Sequence, residues 1–323
     1  MTPRAPWWLG ALASAVLAAA GPAAQEPYTT GRTYYGRNGY VEFRAGDLPI
    51  IISAPHGGSL QPGEIPDRTS GTTVTDVATE DLARAVAAAL QRLEGCEPFL
   101  VICRLKRIKV DVNRDVLEGA RGNAHAVQAW AEYHGFLDAA RAMAADRFGR
   151  ALAVDLHGHG HAKPRIEIGY LLGADDLNRP DLELDDPALA RGSSIRTLAA
   201  ESGVRFSALV RGPASLGGLL ERAGYASVPS PETPEPGTDP FFGGGYTARR
   251  HGSADGGPVS AVQLETPYPG LRDTPAARSR FASALADALV TYARTHLRPE
   301  SPRAPIARRA SARPPATTGA CGG

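Results

Sequence analysis

The chain has 323 residues, enough to bury a sizeable core, with 35 Lys and Arg against 34 Asp and Glu. This near-neutral balance argues against a nucleic-acid or anionic-membrane partner, whose binding rests on basic patches. Three cysteines, Cys96, Cys103 and Cys321, are too few and too irregularly spaced for a disulfide scaffold or a cysteine metal site. A Cys96–Cys103 disulfide and a buried Cys103 thiol in the run Phe99-Leu-Val-Ile-Cys103 are both open.

Arg4 precedes an apolar stretch from Trp7 to Ala20, followed by small residues to Ala24. This is the pattern of a secretory signal over residues 1–24, cleaved between Ala20 and Gln25. It predicts a secreted or periplasmic protein with no stable membrane span after cleavage. Residues 25–297 are expected to form one α/β hydrolase domain. The Pro-, Ala- and Arg-rich segment 298–323 lacks periodicity and is expected to be a disordered tail.

In chain order, Thr33–Tyr35 and Tyr40–Phe43 flank Asn38-Gly39, a hairpin signal. Pro49 to Ala54 is an unbroken apolar run, the mark of a strand buried on both faces. It stops at Pro55-His56-Gly57-Gly58, which presents His56 at the strand's end. Gly63 to Thr73 is a polar loop. A helix is predicted from about Asp76 to Leu93, with Leu82, Val86, Leu90 and Leu93 as its buried stripe and Glu80 off that stripe in the first turns.

Pro98 to Leu105 is the next predicted strand, then a long helix from Gly122 to Phe148 with Val127, Trp130, Leu137 and Ala144 inward. Ala151 to His157 is a strand that continues as Gly158-His159-Gly160-His161. At a side-chain period of two, Asp155, His157, His159 and His161 start out on one face. Further strands are predicted at Ile166–Leu172, Val204–Val210 and Val259–Leu264. A helix starts at Gly212-Pro213 and a closing helix spans 275–296. Residues 228–245 are expected to form an ordered Gly- and Pro-rich loop near the site, because Phe241, Phe242 and the following Tyr246 set aromatics among glycines. Strands alternating with helices predict an α/β fold, a mostly parallel or mixed central sheet flanked by helices.

In such sheets ligands gather beyond the carboxyl ends of the strands, where His56, His157, Glu265 and Asn113-Arg114 all fall. Two histidines and a carboxylate suit a catalytic zinc with one position open to water. The ligands expected are His56, His157 and Glu80, with Asp76 one turn earlier as the rival carboxylate. Glu265 is the candidate to take the water proton and pass it to the leaving nitrogen. Arg114 offers a fork for a substrate carboxylate, Asn113 can hold one of its oxygens, and Arg107 can polarise the scissile carbonyl. Asp155 is placed to orient His157.

A His-x-His-x-Asp-His pattern is excluded, because 161 and 162 are His and Ala. No serine or cysteine nucleophile motif stands in a strand–elbow–helix setting. Gly243-Gly-Gly-Tyr246 lacks the lysine of a phosphate loop.

Six pieces, Pro55-His-Gly-Gly58, Thr79-Glu-Asp-Leu82, Val110-Asp-Val-Asn-Arg114, Asp155-Leu-His157, Phe242-Gly-Gly-Gly-Tyr246 and Val262-Gln-Leu-Glu265, occur in the order in which the chain resembles the N-formylglutamate amidohydrolase family. The resemblance covers roughly residues 45–295. It implies a zinc carboxypeptidase-like fold, zinc at His56, Glu80 and His157, catalysis by Glu265, and substrate-carboxylate binding at Asn113 and Arg114. The implied substrate is a small N-acyl amino acid, such as N-formylglutamate, or a short peptide with a free carboxylate. A carboxypeptidase-like or poly-γ-glutamate-type peptidase is the alternative within this class, and a metal-free binding protein the alternative outside it.

Overall fold

The computed structural model describes residues 28–297, so the signal expected over 1–24 and the tail expected over 298–323 lie outside the described residues. Eight strands form one sheet: β1 (Thr33–Tyr35), β2 (Val41–Arg44), β3 (Ile50–Ala54), β4 (Phe99–Cys103), β5 (Ala151–His159), β6 (Ile166–Gly169), β7 (Ser227–Val228) and β8 (Val259–Pro267). Their order across the sheet is β1-β2-β4-β3-β5-β8-β6-β7. The central four, β4, β3, β5 and β8, run parallel. β1 and β2 form an antiparallel hairpin that joins β4 on one side, and β6 joins β8 antiparallel on the other. The sheet is therefore mixed, with helices on both faces.

Strand alternation divides the core in two. Ile50 and Ile52 pack on one face with Leu82, Val86 and Leu90 of the helix Thr79–Glu94 and with Phe281, Leu285 and Leu289 of the helix Pro275–Tyr292. Ile51 points the other way, towards Phe43, Val101, Tyr133 and Leu137, the last two on the helix Ala124–Phe148. Strands covered on both faces need apolar residues at every position, which is why these runs are unbroken. The hairpin turn follows its Asn-Gly signal, with Asn38 at φ 57° and Gly39 at φ 68°.

Three local readings change. Leu93 is exposed rather than part of the buried stripe of its helix. Val204–Val210 is not a strand; the segment forms the short helix Phe206–Arg211. Phe206, Leu209 and Val210 are buried at i, i+3 and i+4, a helical spacing that a short apolar run conceals. Arg211 then fixes the helix end by donating to the carbonyls of Leu177 and Arg179 at 2.8 and 2.7 Å. The helix expected from Gly212-Pro213 begins later, at Leu216, with the Ser215 hydroxyl capping Gly218 N–H.

Cys103 is a free, buried thiol, so no Cys96–Cys103 bridge forms. Burial pushes its pKa up to about 12, which makes it an inert core residue. Among the described residues no helix is long and apolar enough to cross a membrane.

Candidate metal centre

β3, β5 and β8 are parallel neighbours, so their carboxyl ends bring His56, His157 and Glu265 to one edge. His157 and Glu265 are register partners across β5 and β8. Three ligand atoms converge there. Asp76 Oδ2 lies 3.4 Å from His56 Nδ1 and 3.3 Å from His157 Nδ1. Zinc bonds of ~2.0–2.1 Å in a tetrahedral arrangement separate ligand atoms by about 3.3 Å. His56 Nδ1 is buried without a hydrogen-bond partner. The residues present therefore fit a zinc ion.

Each imidazole is braced from behind. His56 Nε2 is 2.7 Å from Asp111 Oδ1, and His157 Nε2 is 2.7 Å from Asp155 Oδ2. A ring N–H given to a carboxylate leaves Nδ1 as the lone-pair atom facing the centre. Asp155 is itself fixed by the Ser53 hydroxyl at 2.6 Å, across the β3–β5 register. Burial alone would raise the Asp155 carboxyl, but the charge and hydrogen bond of His157, with Ser53, hold it below its usual range. Burial opposes charge on His157 too, yet Asp155, Asp76 and Glu265 raise it well above an ordinary histidine.

Asp76 is the carboxylate in the cluster, and Glu80 is not. The helix starts at Thr79, because Ala78 sits in the left-handed region at φ 64° and breaks the helical path before it. Asp76 thus lies in a turn, its carbonyl accepting the Thr79 N–H and hydroxyl at 3.1 and 2.8 Å. Its carboxylate turns in to accept Gly158 N–H at 3.1 Å. Glu80, one helical turn on, pairs with Arg84 at 2.8 Å, beside the Arg84–Glu42 pair. Burial tends to raise the Asp76 carboxyl, but His157 and His56 outweigh it and keep its pKa well below the usual carboxylate range.

The two glycines beside the histidines are required by close approach. A Cβ on Gly57 would lie 2.3 Å from the Glu80 backbone nitrogen, and one on Gly158 would lie 2.3–2.6 Å from the Arg272 guanidinium. Gly57 lets the helix start dock against the His56 turn. Gly158 leaves room for a buried cation beside His157.

The other predicted residues take varied places. Glu265 Oε1 is 3.9 Å from His157 Nδ1 and accepts from Gln263 at 2.9 Å, while Oε2 is buried with no partner in the protein. Burial raises its pKa. Arg107 faces Asp76 of the cluster at 3.3 Å and Asp111, which braces His56, at 3.0 Å, so here it holds these carboxylates rather than reaching into open space. Asn113 is buried, and its Oδ1 accepts Thr247 N–H at 2.7 Å, which ties it to the helix Tyr246–His251. Its Nδ2 lies 3.5 Å from His157 Nε2, beside the centre. Arg114 is partly exposed and pairs with Glu118 at 3.2 Å. His159 and His161 turn away from the centre, towards Arg165 and Glu167.

Sequence reasoning missed Asp111, Arg272 and Arg68. Asp111 lies in the segment Val110-Asp-Val-Asn-Arg114, and its position two residues before Asn113 was a usable signal. Arg272 is buried, donates to Thr266 O at 2.9 Å and to Val77 O, and feels Asp76 and Glu265. Arg68 donates to the carbonyls of Thr72 and Arg107 at 2.9 and 3.1 Å, clamping the loop that leads to Asp76. Both are isolated arginines in loops, with no pattern to mark them.

No family model matches the chain, and no curated protein matches it. Among solved structures the chain is similar to N-formylglutamate amidohydrolase from Ralstonia eutropha JMP134, at 14% identity and TM-score 0.48, over 80% of this chain and 98% of that one. It is also similar to N-acetylmuramyl-L-alanine amidases from Mycobacterium abscessus and Mycobacterium smegmatis. Both are 14% identical over 75% of this chain, covering 97% and 95% of theirs, with TM-scores of 0.36 and 0.38.

Behind Asn113 lies a second histidine pair. His134 Nε2 donates to Val112 O at 3.0 Å, its Nδ1 is 2.8 Å from His251 Nε2, and the rings stack at 5.1 Å. Burial, helped by the charges of His251 and Arg250, lowers His134 to about 3, and burial lowers His251 as well. His134 therefore stays neutral in the fold down to about 3 but protonates in the unfolded chain below about 6.5, and the lowered His251 acts in the same direction. The unfolded state then binds more protons, so stability falls as pH drops from about 6.5 towards 3, by up to ~1.4 kcal/mol per unit for each proton. Denaturant unfolding at pH 7 and pH 5 is expected to show this loss. His134→Gln, which keeps a donor for Val112 O, should reduce the loss; an unchanged difference would contradict the assignment.

Proposed function

We propose that the protein is a zinc-dependent amidohydrolase acting on the amide bond of an N-acyl amino acid, N-formyl- or another N-acyl-glutamate being the first candidate. The observation that carries this reading is the convergence of His56 Nδ1, Asp76 Oδ2 and His157 Nδ1, each imidazole braced by a buried carboxylate, with Glu265 beside them. A zinc ion held by these three atoms would supply a Lewis acid that lowers the pKa of water to about 7.

The chain's own residues account for the rest. Asp111 and Asp155 keep the Nδ1 lone pairs of His56 and His157 turned inward. Arg107 and Gly158 N–H hold the Asp76 carboxylate in place. Glu265 Oε2, free of protein partners, would accept a proton from water at the centre and return it to the leaving nitrogen. A base whose pKa is raised by burial is better matched to both halves of that transfer. Asn113 Nδ2, 3.5 Å from His157 Nε2, and the neighbouring, partly exposed Arg114 would receive the substrate's carboxylate. This favours an amino-acid substrate with a free carboxylate over an internal peptide bond. We also propose that the chain is exported, on the strength of the signal-like segment 1–24.

Chelation should abolish hydrolysis of N-acyl-glutamate, and zinc should restore it. Glu265→Gln should bind zinc as the wild type does and lose at least ~10²-fold in kcat, the usual weight of a proton-transfer residue. Unchanged turnover in that variant would remove Glu265 from the mechanism. Arg114→Ala should raise KM for substrates with a free carboxylate and leave their amidated counterparts unaffected; an equal effect on both would contradict the clamp. Assays on γ- and α-linked glutamyl peptides separate amidase from peptidase. Mass spectrometry of the mature protein should find its first residue within 21–25, and an intact Met1 after expression in an exporting host would contradict export.

A further inference from the structure

Of the three histidines spaced along β5 and just past it, the metal centre uses only the first. His159 and His161 face Glu167 on β6, and one ligand atom from each of the three lies within 4.8 Å of the others. Glu167 is 1% exposed, so its carboxylate needs partners. Its Oε2 accepts Phe242 N–H at 2.8 Å, and its Oε1 is 2.7 Å from His161 Nδ1. His159 Nε2 donates to Arg165 O at 2.9 Å, which makes Nδ1 the lone-pair atom on the side of the cluster. A metal-bound histidine is commonly supported through its second nitrogen in this way. The His161 ring is partly exposed and stacks on Phe242 at 4.6 Å, so the cluster can be reached from solvent beside that loop.

We propose that His159, His161 and Glu167 form a second transition-metal site, separate from the centre at His56, Asp76 and His157. Two imidazoles and one carboxylate select a borderline divalent ion such as Zn²⁺ over Ca²⁺ or Mg²⁺, which take oxygen ligands. Uptake exchanges two hydrogen bonds for coordinate bonds. The His161 backbone N–H gives up His159 Nδ1, now 3.1 Å away, and the His161 ring proton moves from Nδ1 to Nε2. The 2.7 Å contact between His161 and Glu167 must open to about 3.3 Å to admit the ion. The first centre makes no such exchange at His56, whose Nδ1 is unpartnered. The second site is accordingly the weaker of the two.

The test is a zinc titration of tag-free, chelator-stripped full-length protein against a chromophoric competitor, repeated with Co²⁺ and its visible absorption. The wild type should bind one equivalent more than His161→Ala, and the equivalent lost should be the weaker. His161→Phe, which keeps the stack on Phe242 but offers no ligand, should lose the same equivalent with unchanged circular dichroism. Equal uptake by the wild type and both variants overturns the site. His56→Ala separates the two centres: an equivalent that survives this substitution and disappears on adding His161→Phe supports the second site even if the first fails.

Discussion

The site depends on one buried carboxylate, Asp76, towards which two imidazoles point from different strands. Around it are Asp111, Asp155 and Glu265, all nearly inaccessible to solvent. Several buried carboxylates in so small a volume are unfavourable unless cations and hydrogen bonds compensate them. Arg107 and Arg272 supply part of that compensation, Arg107 by direct pairing with Asp76 and Asp111 and Arg272 from behind Gly158. A divalent cation between the imidazoles would supply the rest. This charge balance links the fold, the ligand geometry and the proposed chemistry.

The sheet delivers these groups by simple rules. Parallel strands end on the same edge, so β3, β5 and β8 bring His56, His157 and Glu265 together although they are far apart in sequence. Period two sets Asp155 behind His157, and the β3–β5 register sets Ser53 behind Asp155. The antiparallel strand β6 pairs Glu167 with Glu265 on β8. Glu167 in turn holds His161 at 2.7 Å, in the group next to the first centre.

Much of this was legible in the chain. The apolar runs marked the central strands because strands buried on both faces leave no polar position. His56 after Pro55 and His157 two residues after Asp155 were visible as strand-end groups. The choice between Glu80 and Asp76 was not, because it turns on where a helix begins. Ala78 adopts a left-handed φ that no propensity of alanine foretells, and that one residue leaves Asp76 in a turn facing the centre. Arg272 and Arg68 were illegible for another reason: their burial is set by carbonyls and carboxylates distant in sequence. The segment Phe206–Arg211 shows the same limit, since three apolar residues serve a strand or a helix until their neighbours choose.

The proposal that Asp76, rather than Glu80, completes a zinc centre is the most direct target. It is tested by measuring the zinc affinity of Asp76→Asn and Glu80→Gln side by side. Asp76→Asn should weaken the tight equivalent by more than ~100-fold, beyond the loss typical of a supporting residue, while Glu80→Gln should leave it unchanged. Tight zinc retained in Asp76→Asn and lost in Glu80→Gln would contradict the account.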